Sequence, residues 1–537
     1  MQMLIIVPSG SRYCHSGECG IFFWGAHEHD SVWHLAVSNT LLSHHPFEMP
    51  NMSGTTISGY NYLLDISIAI LQEISRIPSS IWFFKILPIF WFLVLIKLSH
   101  KFAISYRKSS TYSLSLWFFM FFGSSFSYLL SLHNKGSIWG SSSLLSMQSL
   151  QNMLNPQFAY SLIPLIILLI GINESKKSYK DYFKYAIYIA IAIALKFYTG
   201  AIMLVMIGFD LLIGLINERR KWVEQIAKGI LVVTITLLSI WIFYAPGKTG
   251  GSPLVFSPLT TVNPLIEDQS LLYLSVWAQR LYEYQGVRLL LLEMAVFIAF
   301  IVLNFGSRIL GLFALAYGDK KTNSYTKKII IIGAIAGLLM ATFFVQRGVW
   351  WNTVQFLYVS LFLTSILAAE GLDILMQSKK ALSILFVAVI IILTIPSNID
   401  IVRSFARFPG NSYIPDTELQ ALAVLRALPN GVVLHNEFRP RVSKSSIPVL
   451  GRTYDAAYIS AYSLKQTYLS DVIQLELTNI DYKERLIRLQ SSDCRVLDQV
   501  DYIYEYMDDQ FVNTFSTCGK RLDRVFENEA VSVYTVN

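Results

Sequence analysis

The feature that most constrains this chain is the length of its apolar runs. Between residues 80 and 396, hydrophobic stretches of about 16 to 22 residues recur, the length a helix rising about 1.5 Å per residue needs to cross some 30 Å of hydrocarbon. A soluble fold could not hide so much apolar surface. Of 537 residues, 53% are hydrophobic and only 15% charged, against roughly a quarter charged in ordinary globular domains, and the mean hydropathy is +0.47. The pattern predicts about ten spans, near 80–98, 111–132, 157–172, 182–195, 201–217, 229–246, 286–304, 328–345, 354–373 and 381–396. The expected fold is therefore mainly α, a polytopic transmembrane helical bundle over 80–396. A polar segment over 1–79 precedes it, and a small domain over 397–537 follows.

The net charge of +7 raises the question of a nucleic-acid partner, but the basic residues fall in short connections between spans, where they set membrane orientation. No nucleic acid is expected. Alternate connections are rich in Lys and Arg: Lys101, Arg107 and Lys108; Lys176, Lys177, Lys180 and Lys184; Arg219, Arg220 and Lys221; Lys320, Lys321, Lys327 and Lys328; Lys379 and Lys380. By the positive-inside rule these are cytoplasmic. Residues 1–79 and everything after about 397 then lie on the extracytoplasmic face of a multi-pass cell-membrane protein. All four cysteines (Cys14, Cys19, Cys494, Cys518) fall in those two regions, so the pairs Cys14–Cys19 and Cys494–Cys518 are expected in an oxidising compartment. Residues 1–29 contain no export signal, which leads to the expectation of one more span upstream of Met1.

The densest polar and aromatic cluster lies at 24–65, with Trp24, His27, Glu28, His29, Asp30, Trp33 and His34, then Pro46, then Tyr60, Tyr62 and Asp65. Asp30 is placed to cap a helix starting at Ser31, with Val32, Leu35, Ala36 and Leu41 along an apolar face suited to a membrane surface. Asp30 and His34 are four apart and share a helical face. Glu28 and Asp30 would point into one pocket if the segment is extended. Two such carboxylates suit general-base catalysis or a divalent cation such as Mg or Mn, with Glu28 and Asp30 as its ligands. The histidine spacing matches no zinc pattern.

These residues resemble the GT-C superfamily of membrane glycosyltransferases that use lipid-linked sugar donors. The resemblance rests on the acidic Glu28-x-Asp30 motif in the first large outward segment, the Asp30-x-x-Trp33-His34-Leu35 helix start, Pro46 and Tyr60-x-Tyr62. It implies a polyprenyl-phosphate sugar donor, a glycan, lipid or protein acceptor, and a loop acid acting as base or metal ligand. Asp30 matches that acid best and Glu28 second, with His34 assisting and Tyr60 and Tyr62 contacting substrate.

Cations at the outer ends of spans suit a lipid-phosphate headgroup. Lys196 (in Leu195-Lys-Phe-Tyr) and Arg347 (in Gln346-Arg-Gly-Val-Trp350) are such residues, beside the aromatics Tyr198, Trp350 and Trp351. Lys85 reads as a snorkelling lysine. The connection over 247–285, with Glu267 and Asp268, is long enough for a lid. In 397–537, strands expected at 431–435, 500–504 and 531–536 alternate with helices at 417–428, 463–477 and 481–489, an α/β pattern. No Gly-rich phosphate loop stands at a strand-to-helix junction. A transporter or flippase would show polar residues on several spans and an internal repeat, and neither is evident. A glycan ligase or polymerase would place its essential residues near Glu267.

Overall fold

A computed structural model of the chain describes all residues except 44–45, 141–145, 175–176, 218, 245–253, 263–285, 318–321, 347–349, 379, 437–446 and 454–455. Among the described residues, eight helices are long and apolar enough to cross a membrane: Ser79–Tyr106, Pro156–Glu174, Phe197–Asn217, Trp222–Tyr244, Val287–Ala316, Ser324–Phe343, Trp350–Gln377 and Ala381–Phe405. Each overlaps an expected span. The other two expected spans are helical but shorter, at Ser110–Phe122 (13 residues) and Tyr179–Leu195 (17 residues). The first ends at Gly123, and a separate helix, Tyr128–Lys135, follows.

Local chemistry sets several helix ends. Pro156 opens Pro156–Glu174, where its fixed φ suits the first turn and its missing N–H costs nothing. The Asn323 side chain accepts from the N–H groups of Tyr325 and Thr326, capping Ser324–Phe343, and Ser178 with Asp181 forms a capping box for Tyr179–Leu195. Gly337 allows that capped helix to close on Gln355–Gln377. A Cβ there would stand 2.8 Å from the Phe356 carbonyl.

The chain divides into two compact units that interleave in sequence: Met1–Gln2, Phe90–Ile242 and Gly251–Ser404 in the first, and Met3–Ile89, Phe243–Gly250 and Phe405–Asn537 in the second. The terminal segments, expected as separate parts, thus share one unit. The cause is visible in a three-stranded antiparallel sheet, in which Glu18–Phe23 pairs with Ser11–His15 on one edge and with Ser412–Pro415 on the other. Gly20 permits the second pairing, because a Cβ there would stand 2.1 Å from the Ile414 carbonyl oxygen.

The rest of the second unit carries a five-stranded mixed sheet in the order Gln466–Thr467, Val432–His435, Tyr502–Tyr506, Val531–Val536, Leu522–Glu527. The first three strands are parallel and the last two pairings antiparallel. Asp416–Ala427 and Lys483–Gln490 are helical near the expected positions. The helix expected over 463–477 is broken instead. Tyr458–Ser463 ends at Leu464 (φ 60°), a two-residue strand follows, and a new helix, Val472–Leu477, starts after Asp471 (φ 46°). Two left-handed residues cannot continue a right-handed helix. The structure joins Cys14 to Cys19 across the first hairpin and Cys494 to Cys518 in the terminal region.

Candidate active site around Asp30

Three segments of the second unit meet at the acidic motif. Gly25–Glu28 is a short 3-10 turn, and the α-helix Asp30–Thr40 begins at Asp30 itself, one residue earlier than expected. The segment is therefore not extended, and the geometry that would have aimed Glu28 and Asp30 into one pocket is absent. Nor does the helix lie on a surface with a single apolar face. Val32, Trp33, Leu35, Ala36, Val37 and Leu41 are all buried, and so are Ser31, His34 and Ser38.

His29 is the pivot. Its Nδ1 lies 3.2 Å from Asp30 Oδ1 and its Nε2 lies 3.1 Å from Asp471 Oδ1. Burial opposes a charge on the ring, but hydrogen bonds and Coulombic attraction from the two carboxylates outweigh it and raise the pKa from 6.5 to about 11. His29 is thus an imidazolium held between a buried aspartate and one whose side chain is half exposed. Sequence reasoning missed Asp471, and it had no local signal, being 442 residues from its partner.

Residues 50–53 lace Asp471 into place. The Pro50 carbonyl accepts from Thr467 N–H (2.9 Å) and Ser460 Oγ (2.7 Å), while Asn51 Nδ2 donates to the Asp471 carbonyl (3.0 Å). Arg485 donates to the Ser53 and Tyr468 carbonyls (2.6 and 2.7 Å).

The other histidines of the motif serve differently. His27 is fully buried, with Nδ1 2.6 Å from Ser31 Oγ and Nε2 3.0 Å from the Ile5 carbonyl. Burial lowers its pKa to about 4, so it is a neutral structural residue. His34 does not pair with Asp30. Its Nδ1 lies 3.0 and 3.2 Å from the two oxygens of Asp65, and its Nε2 lies 3.1 Å from the Tyr60 hydroxyl. Burial first, then the charges of Asp65 and Asp30, push the Tyr60 phenol well above its ordinary pKa. Tyr62 is buried, its ring 5.0 Å from Phe243 and 6.4 Å from Phe47.

The first unit holds the remaining expected site residues. Lys196 is a one-residue extended break between Tyr179–Leu195 and Phe197–Asn217, 8% exposed, with Nζ 6.0 Å from the centre of the Tyr198 ring. Trp350 opens the turn Trp350–Val354 and packs edge-on to Trp351. Arg347, Glu267 and Asp268 lie outside the described residues. Lys85, expected to snorkel, instead donates to the Ser9 carbonyl (3.0 Å), to Ser11 Oγ (2.5 Å) and to the Val7 carbonyl.

Polar residues within spans, not evident in the sequence pattern, do occur. Arg308, in the 3-10 break Gly306–Leu310, is buried and donates to Ser365 Oγ, Gln148 Oε1, the Gly123 carbonyl and Ser149 Oγ at 2.8–3.0 Å. Asp210 accepts from Lys177 Nζ (2.9 Å), Tyr325 (2.6 Å) and Tyr182. These side chains are consumed in internal bonds that pin helices together.

Among the described residues, no group of three His, Cys, Asp or Glu is placed to hold a metal ion. Asp30 already engages a charged imidazolium. Among the described residues, Glu28 and Asp30 are thus not joined by a third such group that would complete a ligand set for the expected divalent cation.

The eight apolar helices among the described residues, together with the sheets built from the terminal segments, have the GT-C fold that the motif resemblance implied, and solved structures share it, among them two. One is ArnT from Cupriavidus metallidurans bound to undecaprenyl phosphate, with a TM-score of 0.50 and 9% identity over 99% of this chain and 96% of that one. The other is the Archaeoglobus fulgidus oligosaccharyltransferase in complex with Zn and sulfate, with a TM-score of 0.51 and 12% identity over 94% of this chain. The alignment spans 66% of that longer protein. No protein-family model and no curated protein sequence matches the chain.

Proposed function

We propose that the protein is an integral-membrane glycosyltransferase that moves a sugar from a polyprenyl-phosphate-linked donor to a glycan, lipid or protein acceptor on the extracytoplasmic side of the cell membrane. The observation that carries this reading is the Asp30–His29–Asp471 clamp. It holds a half-exposed carboxylate rigidly at the start of a buried helix, in the segment whose motif resembles the family's catalytic acid. A buried charge is costly unless it is paired, and the half exposure of the Asp30 carboxylate in this clamp suits contact with a substrate. Asp30 accepts a hydrogen bond from the acceptor hydroxyl and orients its oxygen toward the anomeric carbon. The acceptor oxygen bonds to that carbon as the bond from the carbon to the phosphate oxygen breaks, and the phosphate leaves with both electrons of the broken bond.

Fixed cations stabilise such a departing charge, and Lys196 and Arg347 are assigned that role from their positions in the sequence. The fold shared with a protein crystallised on undecaprenyl phosphate supports the donor class. The two disulfides support the extracytoplasmic assignment. Replacing Asp30 with Asn should abolish release of undecaprenyl phosphate from undecaprenyl-phosphate-linked sugars while leaving the protein folded. Full activity in that variant overturns the assignment.

A further inference from the structure

A second linked set of side chains lies beside the clamp, and the clamp does not use it. Asp65, on the helix Leu63–Ser75, is completely buried, and both of its oxygens face His34 Nδ1. A carboxylate presents only acceptors to that nitrogen, so Nδ1 carries the hydrogen. Ser38 Oγ adds a longer bond to Asp65 Oδ1 at 3.4 Å. The His34 ring is stacked on Phe83 and tilted against Tyr60 (centroids 6.1 and 5.6 Å), and Trp33 meets Tyr60 edge-on at 5.8 Å. Ring packing fixes the two orientations, and the Asp65 bond fixes the tautomer. Nε2 is then aimed at the Tyr60 hydroxyl, 3.1 Å away.

Of the three groups only Tyr60 is partly exposed; His34 and Asp65 are sealed. The arrangement follows the logic of a hydroxyl backed by a base that is itself oriented by a third group. A purely structural need would be met at lower cost by apolar residues, because a fully buried carboxylate carries a desolvation penalty.

Resting on the glycosyl-transfer reading above, we propose that Tyr60 is a catalytic residue that takes the proton of the acceptor hydroxyl, with His34 and Asp65 as its positioning residues. As the acceptor oxygen bonds to the anomeric carbon and the phosphate leaves, the acceptor's proton moves to the Tyr60 oxygen. Tyr60's own proton moves to His34 Nε2. The resulting imidazolium is stabilised by Asp65, and no outside oxidant, reductant or co-reactant is required. The raised pKa of Tyr60 fits this role, since it keeps the phenol protonated and donating inward while its oxygen stays an acceptor. Asp30, whose charge also bears on the Tyr60 phenol, orients the same hydroxyl, and the two functions are divided between neighbouring groups.

The test uses the full-length protein in nanodiscs with a panel of undecaprenyl-phosphate-linked hexoses and amino sugars, and it measures release of undecaprenyl phosphate in the presence of host membranes as the acceptor source. Tyr60→Phe and Asp65→Asn should each lower kcat about 100-fold, the low end for general acid–base catalysis, with KM for the donor within about 3-fold. The double variant Tyr60→Phe/Asp65→Asn should be no slower than the slower single one, as groups acting as a unit are not additive. Thermal unfolding of Tyr60→Phe should match the wild type. A Tyr60→Phe enzyme within about 3-fold of wild-type kcat overturns the proposal while the Asp30 reading stands, and so do single effects that multiply in the double variant. A wild type that consumes no donor overturns both.

Discussion

Charge networks occur in both units of this protein, and two of them differ in how deeply their charged groups are buried. In the first unit, Arg107 donates from Nε to Asp373 (2.5 Å) and from Nη1 to Thr322 (2.7 Å), and Ser109 donates to the other Asp373 oxygen (2.7 Å). Glu370 beside them accepts from Tyr106 (3.0 Å), Thr322 (3.1 Å) and Lys327 (2.9 Å). Arg107, Glu370 and Asp373 are all fully buried. In the second unit, His29 joins a buried carboxylate to one that is half exposed. A fully buried network holds helices in register, whereas the proposed function gives the half-exposed Asp30 a substrate to meet. The comparison teaches that charge near a membrane is informative only once its partners are known.

The comparison can be broken most forcefully in the first unit. Arg107→Met leaves Asp373 buried without its guanidinium and should cost about 3 to 5 kcal/mol of stability, read as a lowered unfolding temperature in detergent. An unchanged temperature would remove the scaffold role. Asp30→Asn should show the converse pattern, losing about 100-fold or more in turnover while the protein stays folded and loses less thermal stability than Arg107→Met. If it unfolds instead, the second network is structural too.

A smaller effect is expected for Lys196→Met. It should lower kcat about tenfold, the value of a charge-assisted bond near 1.5 kcal/mol, because the phosphate charge it meets develops as the donor bond breaks. An unaltered kcat would return Lys196 to the aromatic belt. The finest test uses pH. The His29 pKa of about 11 stands above the ordinary 6.5, so its contribution to stability is complete below about pH 6.5 and is lost as pH rises through 11. Asp471→Asn, which keeps a residue tolerant of the left-handed backbone, should flatten the fall in unfolding temperature between about pH 6 and pH 10. Equal slopes in the two proteins would show that Asp471 does not hold the charge.

The same contrast separates what is local from what is not. Span positions were legible because hydrocarbon imposes a length and a composition on each helix separately; even Ser110–Phe122 and Tyr179–Leu195 were found as apolar helices and differed only in extent. Strands at Val432–His435, Tyr502–Tyr506 and Val531–Val536 declared themselves by alternation. The helix expected over 463–477 failed because Leu464 and Asp471 adopt left-handed backbone, which no periodicity records.

The candidate site was only half readable. Asp30, His34 and Tyr60 stood out as a cluster of polar and aromatic types, but their roles depended on partners that the sequence does not mark. Asp30 looked paired with His34 at helical spacing, and in the structure each has another partner. Arg107 looked like one more orientation-setting residue, and it is the centre of a buried network. The sequence by itself determined the membrane class, the approximate spans and the segment in which chemistry is proposed, since hydropathy and residue type act over neighbouring positions. Only the tertiary structure decided that Asp471 clamps His29 and that Asp65 orients His34, because hydrogen bonds are satisfied in space and across 442 residues of chain as readily as across 31.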